Sequence, residues 1–248
     1  MKVPFSYLDR QFADLDPYME DIKAFVRTGD FTLGKALTEF EGRFATLMDA
    51  PFAVGVGSGT DAIAMPLKIL GVGPGDEVIT TPNTFIATAG AIVMTGATPV
   101  FVDSENGYVI DPAKIEAAIT PRTRGIVPVH LYGLCADMKA ISGIARKRGL
   151  FVVEDNAQAI DAHGPDWKQG QLSDAVCTSF IIQKNLGTFG DGGAVVTDRE
   201  DIDAVVRRLR NHGSTARSVH SMGYNSRLDD LHATGGVRWS LDVDPAGF

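Results

Sequence analysis

The amino-acid sequence predicts an α/β fold of three layers, αβα, built on a mostly parallel seven-stranded sheet, and three observations carry that expectation. Short apolar runs recur along the chain from about Phe52 onward. Stretches with apolar residues at helical spacing separate them. Glycine and proline punctuate the connections, as in Gly73-Pro74-Gly75 and Thr95-Gly96-Ala97. Strand and helix signals that alternate in this way indicate a parallel sheet with helices packed on its faces.

Taken in order, the runs at 53–56, 77–80, 99–102, 125–129, 150–153, 177–181 and 194–197 read as buried strands. Helices are expected over 60–70, 84–95, 112–118 and 138–148, between those strands. Ahead of the first strand, Leu37, Phe40, Phe44 and Leu47 fall on one face of an expected amphipathic helix over 37–48. Residues 29–34, flanked by Gly29 and Gly34, read as a loop. The stretch 234–248, with Gly235, Gly236, Pro245 and Gly247 and little periodicity, is expected to be poorly ordered.

Composition narrows the function. A chain of 248 residues with 44% hydrophobic content and a formal net charge of -8 is an ordinary globular protein, able to bury roughly 70–75% of its unfolded surface in one large domain. The sequence pI is near 5.1. Nucleic-acid partners need clustered cations that release counterions, so this balance argues against them. Two cysteines, Cys135 and Cys177, give neither a disulfide framework nor zinc-ligand spacing. No stretch approaches the roughly 18 apolar residues of a membrane span, and the N-terminus lacks an apolar signal core. A cytoplasmic, metal-free protein is expected.

The segment most informative about chemistry is Ser179-Phe180-Ile181-Ile182-Gln183-Lys184, which leads a lysine out of an expected strand toward the glycine-rich stretch 187–193. A lone lysine there is ordinarily a surface residue; four other segments give Lys184 its weight. Gly57-Ser58-Gly59-Thr60-Asp61 follows a strand and opens a helix, so several backbone N–H groups converge on one point. The helix-terminus field alone is worth roughly 0.3–1 kcal/mol to an anion. Hydroxyls from Thr60 and Ser179 would have to add hydrogen bonds for tight phosphate binding. A purely structural turn accounts for the same residues. A nicotinamide-type fingerprint fits poorly, because Thr60 stands where the third glycine is needed and Asp76-Glu77 precedes its strand instead of ending it.

Phe151-Val152-Val153-Glu154-Asp155 sets an acid at the C-terminal end of a buried strand, where open α/β sheets bind ligands. Asp155 there can keep a pyridine nitrogen protonated; capping a following helix is the competing explanation. Gln158 stands one turn further on. Thr81-Pro82-Asn83-Thr84-Phe85 offers an aromatic face, which a core phenylalanine would also explain. His130-Leu131-Tyr132-Gly133 ends another strand, and a satisfied structural histidine is the simpler account of His130.

Together with Tyr224-Asn225-Ser226-Arg227-Leu228-Asp229, these segments stand in an order that resembles the DegT-type nucleotide-sugar aminotransferases, a branch of the fold-type I enzymes that use pyridoxal 5'-phosphate (PLP). The likeness runs from about residue 4 to residue 233. It implies that Lys184 forms the Schiff base, that Asp155 pairs with the pyridine nitrogen and that Gln158 contacts the ring hydroxyl. Phe85 would stack on the ring; Thr60, Asp61 and Ser179 would hold the phosphate, the first two partly through backbone amides, with Gly59 also among the cofactor-binding residues. Asn225 would reach the phosphate site of a neighbouring subunit, implying a homodimer. The implied reaction moves an amino group from an amino acid, glutamate being the expected donor, to a keto nucleotide-deoxysugar. A related sugar dehydratase is disfavoured, because those enzymes carry histidine where Lys184 stands.

The sequence departs from the family pattern at three places. Ile181-Ile182-Gln183 puts β-branched residues before Lys184. Asp161 stands where glycine is common and is expected to add a charge near the ring. From Thr234 the expected long helix and small C-terminal domain give way to a different tail. The resulting division is an N-terminal segment and helix over 1–50, a PLP-binding large domain over 51–233 and a tail over 234–248. A catalytically silent or merely PLP-binding fragment is the competing expectation.

Overall fold

The computed structural model describes residues 8, 13–105, 108–216 and 218–234. The expectation for the tail therefore falls outside the described residues except at Thr234, which is buried and donates to Asp230 O. The first elements named among the described residues are two helices, α1 (Asp16–Val26) and α2 (Lys35–Leu47). Then follow β1 (Phe52–Val56), α3 (Gly59–Ile69), β2 (Glu77–Thr80), α4 (Ile86–Met94) and β3 (Thr98–Phe101). A two-residue hairpin, β4 (Ser104–Glu105) and β5 (Val109–Ile110), precedes α5 (Pro112–Ala118), β6 (Thr123–Val127), α6 (Met138–Arg148) and β7 (Phe151–Asp155). The order closes with β8 (Ala175–Ser179), β9 (Gly193–Thr197), α7 (Glu200–Leu209) and the short α8 (Asp230–His232).

Seven strands form one sheet in the order β1-β9-β8-β7-β6-β2-β3. Only β9 runs against the rest, pairing antiparallel with both β1 and β8. All seven expected strands are present, β2 at its expected bounds and the others with shifted ends. β6 stops at Val127 because Pro128 has no N–H to give the ladder; the Pro128 carbonyl still accepts from Asp155 N at 2.9 Å. Pro99 is tolerated because β3 is an edge strand. β8 begins and ends two residues earlier than expected, after which the chain turns, closed by Lys184 N–H to Ile181 O at 2.8 Å.

Side chains alternate across the sheet with the strand period of two. Val54, Val56, Val78, Val127, Val153 and Val195 pack under α3, α4 and α7. On the opposite face, Ala53, Val176, Ala194 and Val196 meet Phe40 and Phe44 of α2, and Ile79, Ile126 and Val152 meet Ile115 of α5 and Met138 and Ile141 of α6. Ser58, Asp111 and Asp137 cap α3, α5 and α6 through their side chains. Helix α2 starts at Gly34, which has no side chain for the purpose. Asp230, distant in sequence and fully buried, supplies the cap by accepting from Gly34 N at 2.9 Å and Leu37 N at 3.0 Å.

Candidate active site

Because β1, β2, β6, β7 and β8 run parallel, their C-terminal ends open on one edge of the sheet. The loops there carry nearly all the residues singled out above. At the end of β1, Gly57 N donates to the carbonyl and the hydroxyl of Ser226, both at 3.1 Å. The Ser226 hydroxyl in turn donates to Asp61 Oδ2 at 2.8 Å. Asp61 N is engaged by Ser58 Oγ at 3.1 Å, so both the amide and the carboxylate of Asp61 already have partners within the chain. Gly59 and Thr60 occupy the first two positions of α3, whose amides have no intrahelical acceptor. Gly59 is pressed against the end of β8: a Cβ there would lie 2.6 Å from Ser179 Cβ. The glycine thus lets Ser179 close on the start of α3.

Asp155 ends β7 and is buried. Its Oδ2 accepts from Thr88 Oγ1 at 2.7 Å and its Oδ1 from Ala157 N at 3.1 Å, an Asx turn in place of a helix cap. Burial pushes the carboxyl above its ordinary value, while the Thr88 and Ala157 hydrogen bonds and the positive charge of Lys184 oppose that rise. Lys184, half-buried, is held below its ordinary value by the same loss of solvent, opposed by the Asp155 charge. The two groups therefore influence each other electrostatically. Asn156, fixed by Thr178 Oγ1 at 2.6 Å and by Gln169 at 2.8 Å, anchors the turn behind Asp155.

Gln158 Oε1 accepts from Tyr132 N at 3.2 Å, which leaves its amide N–H groups to donate elsewhere. Tyr132 is exposed, in a left-handed conformation with φ of 57°, and meets the Tyr108 ring edge-on at 6.2 Å. Phe85 sits at the N-terminus of α4 and is 68% exposed, so it is not the core phenylalanine that composition alone would suggest. His130 is fully buried, with Nδ1 accepting from Ala136 N at 3.1 Å and Nε2 paired to Glu154 Oε2 at 2.7 Å. That is the arrangement of a satisfied structural histidine. Asn225 is exposed on the strand-like segment that joins Asn211 and lies one residue from Ser226.

The structure also shows the surroundings of Asp161 and of the approach to Lys184. Asp161, left-handed at φ of 61°, lines a small cavity with Met48, Ala162, His163, Lys168 and Gln169, none of them an expected ring contact. Ile181 and Ile182 are only half-buried on the turn that presents Lys184. Sequence reasoning missed Thr88 and Ser226. The first was legible as a solitary hydroxyl in an apolar helix; the second had no local signal, since its partners are far away along the chain. Among the described residues no group of three or more metal-binding side chains occurs, and no helix is long and apolar enough to cross a membrane.

The profile of the DegT/DnrJ/EryC1/StrS aminotransferase family matches residues 16–239. The UDP-N-acetyl-3-dehydro-alpha-D-glucosamine 3-aminotransferase of Acidithiobacillus ferrooxidans is 47% identical over 234 residues, 93% of this chain and 63% of that protein. Among solved structures, Streptomyces venezuelae DesV in complex with a ketimine intermediate superposes with a TM-score of 0.92 at 44% identity, covering 97% of this chain and 65% of DesV. Bacillus subtilis NtdA with bound cofactor PMP superposes with a TM-score of 0.87 at 37% identity, covering 97% of this chain and 56% of NtdA. This chain thus spans under two thirds of the length of these relatives. Enzymes of the family depend on PLP. The matched profile, these identities and the shared fold place the chain in the DegT/DnrJ/EryC1/StrS aminotransferase family.

Proposed function

We propose that this chain carries the cofactor site of a PLP-dependent aminotransferase that moves an amino group from an amino acid, glutamate being the donor the family resemblance implies, to the keto group of a nucleotide-linked deoxysugar. It acts as a homodimer in the cytoplasm. The observation that carries the reading is Asp155, a buried carboxylate held from two sides at the end of β7 and electrostatically coupled to a half-buried Lys184.

The residues present fit the cofactor. A carboxylate has about four acceptor positions and Asp155 uses two inside the chain, so it retains capacity for a ring N–H. The buried carboxyl pays for desolvation, which a cationic ring nitrogen would offset. When bound, PLP supplies an electron sink for the charge left as a proton leaves the amino donor. Asp155 keeps the proton on the pyridine nitrogen. Lys184, desolvated and hence more readily neutral than a surface lysine, would act as the base that takes the donor's Cα proton and holds it for return in the transfer. Such general acid–base transfer contributes typically about 10²–10⁴-fold.

The remaining roles follow from the same geometry. Gln158 donates its amide N–H to the ring hydroxyl, since its oxygen is engaged by Tyr132. Phe85 offers an open ring face for stacking. The Gly59 and Thr60 amides, the Thr60 hydroxyl and Ser179 bind the phosphate at the start of α3. Asp61 acts on that site chiefly by holding Ser226, which in turn holds Gly57. Asn225, exposed beside this loop, is available to the phosphate site of a second copy.

The deciding experiment is the absorbance spectrum of the purified chain with PLP, before and after borohydride, compared with Lys184→Ala. The expected result is a visible band that borohydride fixes to Lys184, that shifts on adding glutamate, and that Lys184→Ala lacks. A band unmoved by glutamate would favour the competing reading, cofactor binding without turnover. Absence of any band would refute the proposed site.

A further inference from the structure

Helix α4 is apolar along its length, and its one hydroxyl, Thr88, lies fully buried in the first turn. A buried hydroxyl is costly unless hydrogen-bonded, so its partners bear on its role. Thr88 Oγ1 lies 2.7 Å from Asp155 Oδ2 and 2.8 Å from Thr84 Oγ1. A threonine has one hydrogen to give. Facing an ionised carboxylate, which only accepts, Thr88 must donate to Asp155 and accept from Thr84. A neutral Asp155 would let that run of hydroxyls reverse.

We infer that Thr88, backed by Thr84, is a positioning residue that holds Asp155 in its ionised, accepting state for the ring nitrogen, an inference that rests on the cofactor reading above. The same helix turn ties Phe85 to Asp155, because Thr88 N donates to Phe85 O at 3.2 Å. Thr88 thereby links the stacking face and the acid that serve opposite aspects of one ring.

Other groups also act on Asp155. The Ala157 amide donates to Oδ1, and the charge of Lys184 favours the ionised form; burial opposes both. Glu154 is turned away into its pair with His130. The Cys177 thiol is held well above its usual range by burial and by the two neighbouring acids, and so brings no charge. Of the influences that counter burial at Asp155, the Thr88 hydrogen bond is the largest.

The test compares wild type, Thr88→Val, Thr88→Ser and Thr84→Val, with the Thr88 variants repeated in an Asp155→Asn background. PLP binding is followed by absorbance against pH, and unfolding of the cofactor-free chain is followed by urea against pH. Thr88→Val, which keeps the branched shape, should weaken PLP binding about tenfold and move the acid edge of binding to higher pH. Thr88→Ser should restore both, and Thr84→Val should give a smaller change in the same direction. In the cofactor-free chain, the Thr88→Val loss should grow as Asp155 ionises and should lose its pH dependence in the Asp155→Asn background. A loss that is equal at every pH, or equally pH-dependent in both backgrounds, overturns the inference, as does failure of Thr88→Ser to rescue. Thr88→Ala replaces Thr88→Val if the latter does not fold. A wild-type chain that never binds PLP refutes the cofactor reading, and the unfolding series still decides whether Thr88 acts on Asp155.

Discussion

Glu41 offers a test of how the loop after β1 is supported. Its carboxylate, 8% exposed, accepts from Arg210 and from Gly55 N at 2.9 Å through Oε1, and from Arg207 Nη1 at 2.6 Å through Oε2. Arg210 also donates to Gly55 O at 2.7 Å, and its own carbonyl accepts from Ser226 N at 2.9 Å. One buried ion pair therefore ties α2 and α7 to the end of β1 and to the residue that holds Gly57. Glu41→Gln keeps the shape but removes the charge, stranding a guanidinium that is 7% exposed. Leaving one member of a buried pair uncompensated costs about 3–5 kcal/mol. With a urea slope on the order of 2 kcal/mol/M, the unfolding midpoint should fall by roughly 2 M. Arg207, more exposed and held separately by Asp203 at 2.9 Å, should tolerate truncation with a loss of about 1 kcal/mol. Replacing Glu41 and Arg210 together by leucine should cost less than Glu41→Gln alone, because no buried charge is orphaned. Urea unfolding of the cofactor-free variants at neutral pH measures all three. A Glu41→Gln loss under about 1 kcal/mol, or a double variant less stable than the single, would refute the argument that burial makes this pair matter.

Two further outcomes follow from the site. Burial raises the Asp155 carboxyl, so the folded chain retains a proton that the unfolded chain releases, and stability falls as pH rises from the ordinary value of 3.8 through the raised folded one. Burial lowers Lys184, so stability rises with pH between its lowered folded value and 10.5. Asp155→Asn should remove this falling contribution on the acid side and Lys184→Met the rising one on the alkaline side in urea midpoints measured against pH; profiles unchanged by both would show that neither group is desolvated as described. Gly59→Ala would place a methyl 2.6 Å from Ser179 Cβ and 3.1 Å from its Cα, costing about 1–3 kcal/mol and weakening PLP binding. Unaltered stability and affinity would mean that the approach of β8 to α3 is not tight.

The legible parts of the fold were those whose signal is local. The strand Phe52–Val56 is a continuous apolar run because both sheet faces are covered. Helices Pro112–Ala118 and Met138–Arg148 carry Asp111 and Asp137 as caps beside an apolar face, and their bounds match the expectation. Helix α1 was not expected, since among its described residues only Phe25 is buried and its apolar stripe is thin. Helix α7 was legible and overlooked: Glu200, Asp201 and Asp203 begin it, and Arg207 and Arg208 end it, as the helix dipole favours.

By itself the sequence determined the layered α/β class, the seven strands and the ordered segments that carry Gly59, Lys184 and Asp155, because strand and helix periodicity and short motifs are properties of contiguous residues. Only the tertiary structure decided that Thr88 meets Asp155, that Ser226 holds both Gly57 and Asp61, and that Asp230 caps a helix nearly two hundred residues earlier. These pairings arise where strands distant in sequence end on the same edge of the sheet. The perturbed protonation of Asp155 and Lys184 belongs with them, since desolvation depends on what the whole fold packs around a group and not on its neighbours along the chain.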